Sequence, residues 1–265
     1  MKGRRKKKHV SRKKLGKRGK MDMLLRRAEV IVEVLDARNP QGTRAEDIEE
    51  RARRYGRRLI FAVNKCDLIE KEEAERIKRE LEKVAPTVFV SASKKLGTTI
   101  LRDTIRRVAP QLPAKVALVG YPNVGKSQLS NALKGKSAAK VSPVPGYTKH
   151  QQWVRVSKNI LLYDTPGVIP RWESEESLAF KFAVDPDLMK RPEKAALDIL
   201  KYLMEKNEEV VFNRYGVSGD PEEVLIEIAR RRGKLLKGGV PDTIAAAKIV
   251  IREWTSGKLV KPKED

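Results

Sequence analysis

Residues 30–164 predict an α/β domain with a mostly parallel sheet, and the chain after Gly167 predicts a small all-α domain. Three observations carry this. Short, near-continuous runs of Val, Ile and Leu recur from Val30 onward, charged helical stretches alternate with them, and the strand-like runs stop after Gly167. A strand that is apolar on both faces is buried on both faces, which is the condition of a parallel sheet covered by helices.

Strands are expected at 30–36, 59–64, 87–91, 115–120, 153–157 and 160–164, with helices at about 44–55, 71–84, 98–108 and 126–133. Thr43-x-x-Glu46 has the form of a capping box for the first of these helices. Further on, 193–206 places Leu197, Leu200, Leu203 and Met204 on one stripe. Asp220-Pro221-Glu222-Glu223 opens another helix with a cap, a proline at its first position and early acids, and Gly233 is its expected stop. In 242–256, Ile244, Ala247, Ile251 and Trp254 share a face before Gly257. These stripes are read as core.

The 265 residues hold 58 Lys or Arg against 35 Asp or Glu, a net +23 that is unevenly placed. Residues 1–20 contribute +12, residues 21–172 another +12 and residues 173–265 a net −1. The expected organisation is a disordered basic arm over 1–20, an α/β domain over 21–172 and a helical domain over 173–265. A single cysteine, Cys66, excludes an internal disulfide and fits a reducing, cytoplasmic setting with no disulfide-linked partner. No apolar run approaches the length of a membrane span, so no membrane partner is expected. The basic excess points to a polyanion, since each neutralised phosphate releases a counterion. The positive residues gather at 230–237 and at Arg51, Arg53, Arg54, Arg57 and Arg58. With 14 aromatics in all, backbone-directed binding to structured RNA fits better than base stacking.

Gly120-Tyr-Pro-Asn-Val-Gly125-Lys126-Ser127 matches G-x-x-x-x-G-K-[ST] between a predicted strand and a predicted helix, the context that a phosphate loop requires. Glycines let backbone N–H groups curl around phosphate, and the helix N-terminus adds its dipole. Asn123, Val124, Gly125 and Gln128 complete the loop; Lys126 reaches the β- and γ-phosphates, and Ser127 offers an oxygen to Mg²⁺. Asp164-Thr-Pro-Gly167 ends a later strand, with Asp164 placed to hold Mg²⁺ and the Gly167 N–H to sense a γ-phosphate. Thr148, in Pro145-Gly-Tyr-Thr148, is a candidate second Mg²⁺ ligand.

Asn64-Lys65-Cys66-Asp67 follows another strand. An aspartate can accept from guanine N1–H and N2–H₂, a pair that adenine lacks. Lys65 can lie along the base, Asn64 can tie this element to the phosphate loop, and Ser91-Ala92-Ser93 supplies a backbone N–H for guanine O6. The expected ligands are therefore GTP and GDP with Mg²⁺. P-loop NTPase architecture follows for 21–172.

Together these motifs resemble a GTPase of the translation-factor superclass, but in unusual order. Such proteins run from phosphate loop to base element, whereas here the base element comes first, so the domain resembles a circularly permuted GTPase joined through 110–113. Asp36-Ala37-Arg38, the string from Pro145 to Trp153, and Ile251-Arg-Glu-Trp254-x-x-Gly257-Lys258 resemble the YlqF/YawG group, which includes ribosome biogenesis GTPase A. The resemblance covers about residues 22–260 and implies a GTPase acting in assembly of the large ribosomal subunit through rRNA.

Val168-Ile169 stand where many signalling GTPases carry a water-orienting glutamine, so slow unassisted hydrolysis is expected, stimulated by the ribosomal subunit or K⁺. Asn123 occupies the position of the asparagine that potassium-stimulated GTPases use as a ligand. The catalytic set is then Lys126, Thr148 and Gly167, with His150 a minor candidate; the bacterial histidine motif near the N-terminus is not reproduced, and His9 is assigned no role. Two other readings stay open on the residues alone: a signalling GTPase acting on proteins, and an RNA-binding protein with GTP as a structural ligand.

Overall fold

Strand β1 (Val30–Asp36) is buried along its whole length and lies near the middle of a six-stranded sheet. The structure, a computed structural model, describes residues 17–134, 153–163 and 173–259. The sheet also contains β2 (Arg58–Asn64), β3 (Thr87–Phe89), β4 (Ala114–Val119), β5 (Trp153–Ser157) and β6 (Ile160–Tyr163). Their order is β3-β2-β1-β4-β6-β5, and every pairing is parallel except that of the edge strand β5 with β6. Five strands therefore present their carboxyl ends on one side. Register sets Asp36 beside Asn64, and Glu33 beside Val119.

Helices α1 (Lys17–Arg27), α2 (Glu46–Arg54), α3 (Lys71–Leu81), α4 (Thr98–Val108) and α5 (Lys126–Leu133) accompany the sheet. A large apolar cluster from Met21 to Ala183 includes residues of β1, β4 and β6, and a smaller one gathers Leu35, Phe61, Val63, Ile77 and Leu81. The last four residues of the expected basic arm, 17–20, lie in α1, whose Met21, Leu24 and Leu25 are buried.

The capping-box expectation at Thr43 is corrected. The helix starts at Glu46 with Ala45 in the cap position and no side-chain cap. The Thr43 hydroxyl instead accepts from the Asp36 N–H at 3.0 Å and donates to the Asn39 carbonyl at 2.8 Å. Folding the turn after β1 outweighed satisfying one helix N–H.

Beyond the sheet lie α6 (Glu175–Phe180), α7 (Pro192–Tyr215), α8 (Pro221–Arg231) and α9 (Thr243–Ser256), packed around their own apolar cluster. Asp220 caps α8 through the Glu222 and Glu223 N–H groups, and Asp242 caps α9 through Ala245. Helix α7 continues to Tyr215, past the expected end at 206, through a non-helical Asn207.

Candidate functional site

The site is built at the carboxyl ends of β1, β2, β3 and β4, where chain reversals expose backbone groups that the sheet no longer uses. Asn64, 1% exposed, ends β2 and brackets two loops. Its Nδ2 donates to the Val124 carbonyl at 2.8 Å, and its Oδ1 accepts from the Ala92 N–H at 3.0 Å. The Ala92 amide is thus committed within the protein. Ser91 Oγ lies 3.2 Å from Ser93 Oγ and accepts from the Lys94 N–H at 3.3 Å.

Lys65 then takes a left-handed conformation, φ 63°, and turns the chain into the short helical turn Cys66–Leu68. That turn leaves Asp67 Oδ1 buried without a partner, while Oδ2 lies 3.4 Å from Lys94 Nζ. Burial works to raise the Asp67 pKa, but hydrogen bonds from Ser91 and Lys94 prevail and hold it below its ordinary value. The group is an ionised acceptor with one desolvated oxygen unused. A ligand presenting N–H donors is what such an atom lacks.

In the phosphate loop, Gly120 and Gly125 have φ of 135° and 95°. A Cβ on Gly120 would lie 2.5 Å from the Val34 carbonyl oxygen, and one on Gly125 would lie 2.2 Å from Asn64 Nδ2, so neither position admits a side chain. Lys126 folds back over the loop: Nζ donates to the Gly120 carbonyl at 2.9 Å and also to that of Tyr121. Burial lowers its ammonium pKa to about 8. Ser127 and Gln128 are exposed at the start of α5. Hard-oxygen Ser127 beside a buried ammonium fits a phosphate-bound Mg²⁺, and the orphaned Asp67 oxygen fits a guanine edge. The expected residues Thr148, His150, Asp164 and Gly167 lie outside the described residues.

Both halves of the site also reach the helical region. Asp36 binds the Arg38 guanidinium bidentately, at 2.8 and 2.7 Å, and its Oδ2 is 2.8 Å from Lys65 Nζ. Burial opposes the Asp36 charge, and the two cations overturn it, holding the carboxyl below its ordinary range. Burial likewise lowers the Lys65 ammonium, against the pull of Asp36. Arg38 stacks 3.9 Å from the Phe182 ring centroid and donates to the Trp254 carbonyl. On the phosphate side, Asn123 Nδ2 donates to the Phe182 carbonyl at 2.7 Å, and Tyr121 binds Glu173, itself paired with Lys181 at 2.8 Å.

Phe182 carried no signal in the sequence; Tyr121 stood at a variable position of the phosphate loop, and Trp254 read as core and as part of the string resembling the YlqF/YawG group. The available hint was Asp36, a carboxylate closing a largely apolar run, with an arginine two residues on.

The expected phosphate-contacting stripe at 230–237 is partly neutralised. Arg230 and Arg231 pair with Glu227 at 3.4 and 3.2 Å, and Arg232 with Glu253 at 3.5 Å. Lys234 and Lys237 remain as the unpaired cations among its described residues.

Comparison with known proteins places this geometry. The profile of the family described as 50S ribosome-binding GTPase matches residues 115–214, starting at β4. A profile beginning at the phosphate strand meets its first elements here only after the base-recognition half. Uncharacterized GTP-binding protein MJ1464 of Methanocaldococcus jannaschii is 39% identical over 250 residues, covering 92% of this chain and 66% of that protein. Nucleolar GTP-binding protein 2 of Saccharomyces cerevisiae is 34% identical over 244 residues, covering 88% of this chain and 50% of that protein. The chain thus spans between half and two thirds of these relatives. Among solved structures, GNP-bound YlqF from T. maritima superposes with a TM-score of 0.64 at 25% identity, covering 92% of this chain and 95% of that one. Its GDP-bound form gives 0.62, covering 91% and 96%. With the base element before the phosphate loop and a helical region after the sheet, the chain has the fold of the circularly permuted GTPase YlqF.

Proposed function

We propose that this protein binds and hydrolyses GTP and acts as an assembly factor on the large ribosomal subunit through rRNA contacts. The observation that carries the nucleotide half is Asn64, which joins the phosphate loop to the base element and leaves the buried Asp67 oxygen for a guanine. Support for the ribosomal half comes from the relatives: a family described as 50S ribosome-binding, and a nucleolar GTP-binding protein. The basic excess of residues 1–172 supports an RNA partner.

In this reading residues 1–20 form a basic arm, 21–172 the GTPase domain and 173–265 a helical domain in contact with RNA. Asp67 selects guanine beside the Ser91–Ser93 turn, whose Ala92 N–H is already taken by Asn64, with Lys65 along the base. Residues 123–128 hold the phosphates. Ser127, Thr148 and Asp164 would hold Mg²⁺, which supplies charge neutralisation between the phosphates when bound. Lys126, Thr148 and Gly167 respond to the γ-phosphate, and His150 is the side chain nearest in sequence that could assist water. The Asn123 amide oxygen is the atom K⁺ would use, its nitrogen being engaged by Phe182. The site of action is the cytoplasm; no helix among the described residues is long and apolar enough to cross a membrane.

Sedimentation of the full chain with large ribosomal subunits, with GDP and with a non-hydrolysable GTP analogue, tests this. Co-sedimentation that depends on the nucleotide is expected, with turnover stimulated by subunits and faster in K⁺ than in Na⁺. Identical behaviour with either nucleotide and no stimulation by subunits would overturn it.

A further inference from the structure

At the end of the sheet away from the strand carboxyl ends is a cavity of about 460 Å³. Every charged residue lining it is an arginine: Arg53, Arg57, Arg58 and Arg107. They come from the last turns of α2 and α4, the turn after α2 and the first position of β2. Seven residues of β2 separate this cavity from Asn64, a distance of about 20 Å.

The neighbours of these arginines show what is unusual. Arg51 pairs with Asp22 at 2.8 Å and Asp47 at 3.4 Å, and Arg106 pairs with Asp103. None of the four cavity arginines has an ion pair or side-chain hydrogen bond among the described residues. The Arg57 Nε is moreover buried with no acceptor. Cations at helix C-termini are favoured by the dipole, which accounts for Arg53 and Arg107. It does not account for Arg58 in a strand or for the desolvated Arg57 nitrogen. Arg53, Arg58 and Arg107 are exposed and Arg57 is half-buried, so four like charges around one cavity, with no carboxylate among its lining residues, make it electropositive and open to an anion from solvent.

We infer that this cavity is a second phosphate-binding site, distinct from the nucleotide site, and that its ligand is the phosphodiester backbone of a structured RNA. Guanidinium forks match phosphate oxygens in a way that a single ammonium does not. The remaining walls, including Leu59, Pro86 and Val108, are aliphatic, with no aromatic ring to stack a base and no polar group to read one. Backbone recognition follows from that wall chemistry. The inference rests on the RNA reading above only for the source of the phosphate.

The test is binding of a fluorescein-labelled RNA hairpin to the full chain across a salt titration. The Arg57→Gln/Arg107→Gln double variant is compared with Arg58→Gln and with the surface control Arg76→Gln, and GDP affinity is measured for each. The double variant should lose hairpin affinity about tenfold and flatten the salt slope by about two, with GDP affinity unchanged. Arg58→Gln should give a smaller loss and the control none. Unchanged hairpin affinity and slope in the double variant would overturn the RNA site. If inorganic pyrophosphate also protects wild-type Arg57 from phenylglyoxal in that case, the pocket takes free phosphate and the RNA assignment is still overturned. An arginine-dependent hairpin affinity without any subunit association would leave this site standing and remove the assembly reading alone.

Discussion

Glu33 is a buried carboxylate and Asp67 a half-buried one with a buried oxygen, and their surroundings drive them in opposite directions. Asp67 is ionised, and its unused oxygen can only accept. In Asp67→Asn the amide places donors against guanine N1–H, so GDP affinity should fall about a hundredfold while a xanthine nucleotide gains. A competition titration with labelled GDP checks this; unchanged GDP affinity would contradict the base assignment. Glu33 lies in mid-strand, accepts from the Ala45 N–H at 2.6 Å and keeps Oε2 without a partner. Burial, reinforced by Glu49, raises its pKa to about 8. Because the folded pKa lies above the unfolded one, the protonated form stabilises the fold fully below pH about 4.5, and that stabilisation is lost as pH rises through about 8. Urea denaturation should therefore show the wild type losing about 3–5 kcal/mol over this range relative to Glu33→Gln. Parallel pH profiles for the two proteins would contradict it.

Among elements, α9 shows how a helix end serves a site it does not belong to. Gly257 ends it in a left-handed conformation, φ 78°, and a Cβ there would stand 3.1 Å from Leu68 Cδ1, next to Asp67. Gly257→Ala should cost about 1–2 kcal/mol in stability and weaken GDP binding as well. Gly233→Ala, at φ 63° with nothing within 4 Å, should cost about 1 kcal/mol and leave GDP affinity alone. Thermal melts with and without GDP separate the two. The cap of α8, Asp220, was legible because local chemistry decides it. Strands β1 and β5 were legible to the residue for a similar reason: their apolar runs end at a change in polarity. Helix α1 was not, since eleven residues averaging so polar show their core face only once Met21, Leu24 and Leu25 find the sheet. Nor was the continuation of α7, where tertiary packing of Val210 and Val211 carries the chain past Asn207.

Over the whole molecule, the motifs gave the α/β fold and the reversed order of the site, because each motif marks the end of a strand and parallel strands bring their ends together. The contacts between the site and the helical region were not legible. They run through Phe182, which receives Arg38 on its ring and Asn123 on its carbonyl, two residues far apart in sequence. Nothing in one chain of letters says that a left-handed phenylalanine, φ 61°, will be their meeting point. The reversed order has a temporal consequence. Asp67 is translated about sixty residues before Lys126, which at ordinary rates is roughly 3–12 s of synthesis. For that interval the emerging purine pocket has no triphosphate clasp beside it, and strands β1 to β4 are all made before the phosphate loop is complete. Two strands, β5 and β6, are still to come when the loop that holds the phosphates is finished.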